Sequence, residues 1–304
     1  MNTDVQIRSR QTRSLRTRST FSRATLLAGL ASFLVSPVGQ ADLFPLGATV
    51  QFVDIVANDI AYSPTKRKLY ATVPSAAGST YGNSVVTIDP ATAQIVDSAF
   101  AGSEPTRISV SDDGTKAYVG IDGARSFRSW RPGTSIFSDL VPLRSRFDRP
   151  AVAQDFAIPR GQSEAVIVSK DDVTSSASGD LQAFRNNVSE GGPPRPTFGS
   201  DQIEFIDDRT MVAYTSSNTG FDLERWSLDP ATLALTSEDD VGGLISGFGT
   251  NIEVTGELVF ASNGIVVNPE TLGAVGTFVT GFRFNSAVES IPEEGRTLFV
   301  GREQ

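Results

Sequence analysis

Five polar residues recur at one place in a repeating pattern and stand to meet in space: Asp59, Arg107, Asp155, Gln202 and Asn251, spaced forty-seven to forty-nine residues apart. Two carboxylates with amide oxygens nearby are hard ligands of the kind Ca²⁺ takes, and an arginine among them pairs with a ligand carboxylate or sulfate, or neutralises the aspartates. Convergence of such groups from distant parts of a chain is what a binding site requires. The same five residues also read as polar strand starts facing solvent. Asp171, Asp172 and Asp180 form a second acidic group within one loop, a candidate Ca²⁺ site that lacks EF-hand spacing. The doublets Asp112-Asp113, Asp207-Asp208 and Glu293-Glu294 fall in tight polar turns, where an aspartate bonding its own backbone is ordinary turn chemistry.

What the chain lacks narrows its chemistry. Its 304 residues include no Cys and no His, which removes disulfides, thiolate nucleophiles, thiolate- or imidazole-ligated metals, the Ser-His-Asp triad and the usual base near neutral pH. No nucleophile–base pair is recognisable, so the reading turns away from catalysis. No cofactor is required, and Ca²⁺ is the one metal the residue types suit.

A repeat must position these groups. A short strand, a tight polar turn and a second strand recur as DIAYSPTKRKLYATV from Asp59, RISVSDDGTKAYVGI from Arg107, DFAIPRGQSEAVIVS from Asp155, QIEFIDDRTMVAYTS from Gln202, NIEVTGELVFAS from Asn251 and SAVESIPEEGRTLFVG from Ser286. Their first apolar residues, Ile60, Ile108, Phe156, Ile203, Ile252 and Ala287, are 48, 48, 47, 49 and 35 residues apart. A period in the forties with hairpins inside it indicates an all-β ring, a β-propeller of four-stranded blades. The turns Asp89-Pro90-Ala91-Thr92, Asp229-Pro230-Ala231-Thr232 and Asn268-Pro269-Glu270-Thr271 join the third and fourth strands. Blades are expected at 57–104, 105–151, 152–199, 200–248 and 249–282, with a sixth begun at 283 and Ala48 to Val56 as the outer closing strand. Because Gln304 falls two strands into the last blade, the propeller domain over 48–304 is expected to be incomplete, part of a ring of six or seven blades.

Residues 1–41 read as a targeting segment: six arginines, an apolar run from Ala24 to Val35, and Gly39-Gln40-Ala41 as a cleavage site, followed by a short linker over 42–47. The arginine- and serine-rich, acid-poor start also has the character of an organellar transit peptide. Without these residues the chain carries 20 basic and 34 acidic residues, a net charge of −14 against −9 for the whole. Such a surface repels phosphate backbones and anionic headgroups, so nucleic acid is not expected as a partner, nor membrane insertion after cleavage.

The pattern in IAYSPTKRKLYAT, SVVTIDPATAQIV and ISVSDDGTKAYVG resembles the YVTN/lactonase-like seven-bladed propeller superfamily, over about residues 48–304. That resemblance implies exported bacterial proteins: surface or periplasmic binding proteins, sugar-lactone hydrolases and quinoprotein-like subunits. The lactonase members bring His to the channel mouth, and this chain has none. The expected function is an exported, non-catalytic binding or interaction module, in the periplasm or at the cell surface, for a protein, small-molecule or saccharide ligand. The alternative is a lactone- or sugar-directed hydrolase or lyase using channel-mouth carboxylates and a divalent cation.

Overall fold

Alternating side chains and short turns make hairpins, and successive hairpins make the first five sheets of this protein. The computed structural model describes residues 6–9, 42–43, 52–78, 80–173, 180–191, 200–280, 284–291 and 296–302. Two short strands come first, β1 (Gln6–Ser9) and β2 (Asp42–Leu43). The first sheet holds β3 (Asp59–Ser63), β4 (Lys68–Val73), β5 (Ser84–Asp89) and β6 (Gln94–Phe100), and the second β7 (Pro105–Val110), β8 (Ala117–Ile121), β9 (Ser126–Trp130) and β10 (Val141–Pro142). The third contains β11 (Ala151–Ala157), β12 (Ala165–Asp172), β13 (Asp180–Arg185) and β14 (Val188–Gly191). The fourth contains β15 (Gln202–Phe205), β16 (Thr210–Tyr214), β17 (Asp222–Leu228) and β18 (Leu235–Gly242). The fifth has β19 (Ile252–Thr255), β20 (Leu258–Ala261), β21 (Ile265–Asn268) and β22 (Gly273–Thr277). In the sixth, β23 (Phe284–Ile291) and β24 (Arg296–Arg302) are joined by β1 and β2, in the order β2-β1-β24-β23.

The all-β architecture and the blade limits expected from the repeat match these sheets; the closure does not. Residues 52–57 form no strand, and β1 pairs antiparallel with β24 instead, Gln6 opposite Gly301 and Ser9 opposite Leu298. Residues 48–51 lie outside the described residues. Val53, Ile55 and Ala57 alternate inward onto the first sheet, where they cover Ala71, Val73, Val86 and Ile88. Apolar alternation drew the segment to a sheet face rather than to a sheet edge.

The innermost strands pack in chain order, β3 on β7, β7 on β11, β11 on β15, β15 on β19 and β19 on β23. The first apolar residue of each repeat points back at the preceding sheet. Ile108 packs with Tyr70 and Val85, Phe156 with Tyr118 and Phe127, Ile203 with Ile167 and Leu181, and Ile252 with Tyr214 and Leu223. Burying such a side chain stabilises by about 1.5–3 kcal/mol, so these rows hold sheet to sheet. On the first sheet the equivalent residue, Ile60, is 55% exposed. In the sixth repeat Val288, not Ala287, holds this position, paired with Phe299 as Ile60 is with Ala71, and Val288 is buried.

The three Pro-containing turns share one conformation. Asp89 accepts from the Ala91 amide at 2.9 Å, Asp229 from Ala231 at 2.8 Å and Asn268 from Glu270 at 2.8 Å. Each turn then ends on a left-handed residue: Ala93 (φ 52°), Leu233 (φ 57°) and Leu272 (φ 47°). A Cβ there is strained by roughly 1–2 kcal/mol, part of which glycine's greater freedom in the unfolded chain offsets. Ala93→Gly is therefore expected to raise the unfolding free energy by about 0.5 kcal/mol, read as a higher urea midpoint at unchanged slope.

Candidate functional site

The innermost strand of each sheet has one edge with no neighbouring strand, and its N–H groups there must find other acceptors. The recurring polar residues supply them across the gap between sheets. Asp59 accepts from the Ile108 amide at 2.9 Å and from its own neighbour Ile60 at 3.0 Å. Asp155 repeats this pattern one period pair later, accepting from Ile203 and Phe156, both at 2.8 Å. Gln202 accepts from the Ile252 amide at 2.7 Å and donates to the Thr250 carbonyl at 2.8 Å. Each is thus a clasp from one sheet to the next. Arg107 has no acceptor to offer; its charge lies among Asp59, Asp122 and Asp155 and opposes the rise of their pKa values.

All five recurring residues line one cavity of about 1410 Å³ on the axis of the ring, to which all six sheets contribute. Deeper in it lies a second row, one residue after each first apolar position: Ala61, Ser109 and Ala157 on the first three sheets, Glu204, Glu253 and Glu289 on the last three. This asymmetric row was not singled out from sequence, although the repeat alignment contains it in Ile203-Glu204 and Ile252-Glu253. Glu204 accepts from the Val254 amide, a second clasp onto the fifth sheet.

Burial sets the electrostatics of the channel. It pushes the Asp155 carboxyl up to about 7, against the lowering effect of its two amide donors and Arg107. Glu253 is pushed up to about 8 by burial and by the charge of Glu289. Glu204 is held well above the ordinary range by burial, with Glu253 the largest like charge beside it, and burial also raises Glu289 and Asp59. Asp155 and Glu253 therefore keep protons into the neutral range and can present O–H donors beside carbonyl acceptors.

Asp171, Asp172 and Asp180 are not brought together as a cation site. Lys170, itself buried, lies 3.3 Å from Asp180 and donates to Gln182 and to the Arg144 carbonyl, both at 2.7 Å. Asp172 accepts from Ser145 at 3.0 Å and lies 3.8 Å from Arg149, and Asp171 accepts from Gln154 at 3.2 Å. Adjacent strand residues point to opposite faces, which separates Asp171 from Asp172. Among the described residues no group of three Asp or Glu is placed to hold a metal ion. Asp113 and Asp207 bond their own turns as expected, to Thr115 at 2.9 Å and Arg209 at 2.7 Å, while Asp112 reaches the next sheet at Gly161 (3.1 Å). Glu293-Glu294 lies outside the described residues.

Six four-stranded sheets packed in sequence around an axial cavity define a β-propeller. Solved structures agree. Hydrazine synthase from Kuenenia stuttgartiensis matches 85% of this chain and 77% of its own, with a TM-score of 0.60 at 13% identity. The β-propeller domain of Cps50 (Swd1) from Myceliophteria thermophila matches over 81% and 84%, with a TM-score of 0.59 at 10% identity. A protein from Lactobacillus plantarum matches over 82% and 78%, with a TM-score of 0.60 at 13% identity. No protein-family model matches the chain, and no curated protein matches it by sequence. At such identities the likeness is one of fold, and function has to be argued from the site.

Proposed function

We propose that this chain is an exported, non-catalytic binding propeller of the YVTN/lactonase-like kind that seats its ligand in the axial channel. The observation that carries the reading is the cavity of about 1410 Å³, lined from all six sheets, with carboxyl or amide side chains from five of them and Arg107 from the other. Polar groups converging on a scaffold-held cavity are the ordinary make-up of a ligand site. The clasp bonds argue against a hard cation at the recurring residues, because the carboxylate oxygens of Asp59 and Asp155 already accept backbone N–H groups.

The test is a thermal-shift screen of saccharides, dicarboxylates and Ca²⁺ against the parent, Asn251→Ala, Arg107→Ala and an outer-edge control, Glu238→Gln. A ligand at a hundred times its Kd stabilises by about 2.7 kcal/mol, roughly 5–10 °C for a domain of this size. The shift is expected in the parent and the control and reduced in the two channel variants. A shift equal in all four would remove the ligand from the channel.

A second reading rests on Asp155 and Glu253, carboxyls raised to about 7 and about 8, the range suited to general acid–base work. On that reading the channel hydrolyses a lactone or sugar bond, and Glu253→Gln abolishes turnover while leaving binding intact.

Export is part of the proposal, motivated by the basic start, the apolar run at 24–35 and Gly39-Gln40-Ala41. The strand Gln6–Ser9 would leave with the cleaved segment and free one edge of β24. N-terminal sequencing of the exported protein is expected to begin near Asp42; a start at Met1 in a cytosolic fraction would contradict export.

A further inference from the structure

The loop between β16 and β17 and the connection from β18 to β19 meet at the rim of the channel, where Ser217, Asn218 and Gly249 line the cavity. At their junction stand two phenylalanines. Phe248 is 69% exposed, and Phe221 lies against it edge to face, with ring centroids 5.1 Å apart and planes at 66°. Phe248 is carried between two glycines in the left-handed region, Gly247 (φ 118°) and Gly249 (φ 71°), and Phe221 itself has φ 48°. A bulky side chain at positive φ is a conformational outlier, and an aromatic ring left in water on such a tip forgoes the stabilisation of burial. The core has no use for Phe248.

The loop that carries Phe221 of this apolar platform is tied through Ser216 and Ser217 to a fixed polar wall of the cavity. Asp201 accepts from the amides of Ser216 and Ser217, both at 2.7 Å, and from the Ser217 hydroxyl at 3.0 Å; next to it Gln154 donates to Asp171 at 3.2 Å. Asp171, Asp201 and Gln154 all line the cavity. Planar amide and carboxyl groups bond pairs of neighbouring hydroxyls, and an aromatic face packs on a flat array of C–H bonds. A sugar ring offers both on one small body.

Resting on the reading of the channel as the ligand seat, we propose that its rim beside the fourth and fifth sheets is a saccharide subsite: Phe248, braced by Phe221, stacks on a sugar ring whose hydroxyls bond Gln154, Asp171 and Ser217. Glu253, raised to about 8 deeper in the channel, offers an O–H donor as well as an acceptor, which suits a neutral polyol better than a cation.

The experiment is isothermal titration with neutral hexasaccharides of β-1,4-glucose, β-1,4-N-acetylglucosamine, α-1,4-glucose and β-1,4-mannose, and with hexalysine. At least one saccharide is expected to bind, Phe248→Ala to weaken it by about tenfold or more, and Phe248→Trp to hold it within about threefold. Val188→Ala, an exposed apolar residue at an outer edge, is expected to bind as the parent does. If no saccharide binds the parent, or if hexalysine alone binds in a Phe248-dependent way, the saccharide assignment falls. If a saccharide binds, loses affinity in Asn251→Ala and is indifferent to Phe248→Ala, the platform falls and the channel reading stands. Indifference to both substitutions overturns both.

Discussion

Raising the pH from 5 to 8 is expected to lower the unfolding free energy of this protein by about 2–4 kcal/mol. The folded-state values of Asp155 (about 7), Glu253 (about 8), Glu204, Glu289 and Asp59 lie above the ordinary 3.8 for Asp and 4.5 for Glu. Within that window the native channel holds protons that the unfolded chain has released, so stability is greatest on the acid side and falls as pH rises. Water in the open channel keeps the total below the sum of the separate shifts. The turn aspartates act in the opposite sense. Asp89, Asp113, Asp207 and Asp229 are lowered by hydrogen bonds to nearby backbone and side-chain groups, led at Asp89 by Lys68 and at Asp113 by Ser111, so their contribution is lost as pH falls below the ordinary carboxylate range. Together the two sets place the optimum near pH 5. Urea unfolding at both pH values checks it, with Glu204→Gln/Glu253→Gln as the comparison: its amides are neutral throughout and its pH dependence is expected to be much flatter. Equal stability of the parent at both pH values would show that the channel acids are ordinary.

Replacing Asp59, Asp155 and Gln202 together by alanine is expected to cost about 3–5 kcal/mol at pH 6, seen as a fall in the urea midpoint at unchanged slope. Each substitution orphans an inner-strand amide on the following sheet, Ile108, Ile203 or Ile252. The channel admits water to these groups, which holds the cost of each to about 1–1.5 kcal/mol. Arg107→Ala, which removes no acceptor, is expected to cost less than any of the three. If the triple variant were as stable as the parent, water would be replacing the clasps without loss, and these residues would be free to serve a ligand alone.

Local chemistry explains which parts of this structure were legible from sequence. Strand limits, hairpin turns and the repeat depend on neighbours along the chain: the alternation in DIAYS, the Asp89 side chain bonding the turn it opens, and Asn263-Gly264 closing β20 onto β21. The convergence of Asp59, Arg107, Asp155, Gln202 and Asn251 on one cavity followed from the period alone. Their bonding did not, because it depends on which backbone amide of the next sheet lies opposite, a property of how the sheets stack. The Glu204, Glu253 and Glu289 row was obscured for a different reason: counting the sixth repeat from the apolar Ala287 rather than Val288 sets it off by one residue, so Glu289 falls out of line with the other two, whereas the pairing of Val288 with Phe299 matches that of Ile60 with Ala71. Likewise Lys170 defeats the acidic loop as a cation site by turning its own charge onto Asp180.

The channel as ligand seat is tested most directly by filling it. Asn251 and Ser109 line the cavity from the fifth and second sheets, and Ser109→Trp/Asn251→Trp would fill it from two sides while leaving the sheet-to-sheet apolar rows untouched. Thermal shift and titration with the ligand identified for the parent are the measurements, alongside unfolding to establish that the variant folds. A folded double variant with binding lost, and with Glu238→Gln binding as the parent does, is the expected result. A folded double variant that binds as tightly as the parent would place the ligand elsewhere on the propeller and contradict the axial channel as its seat.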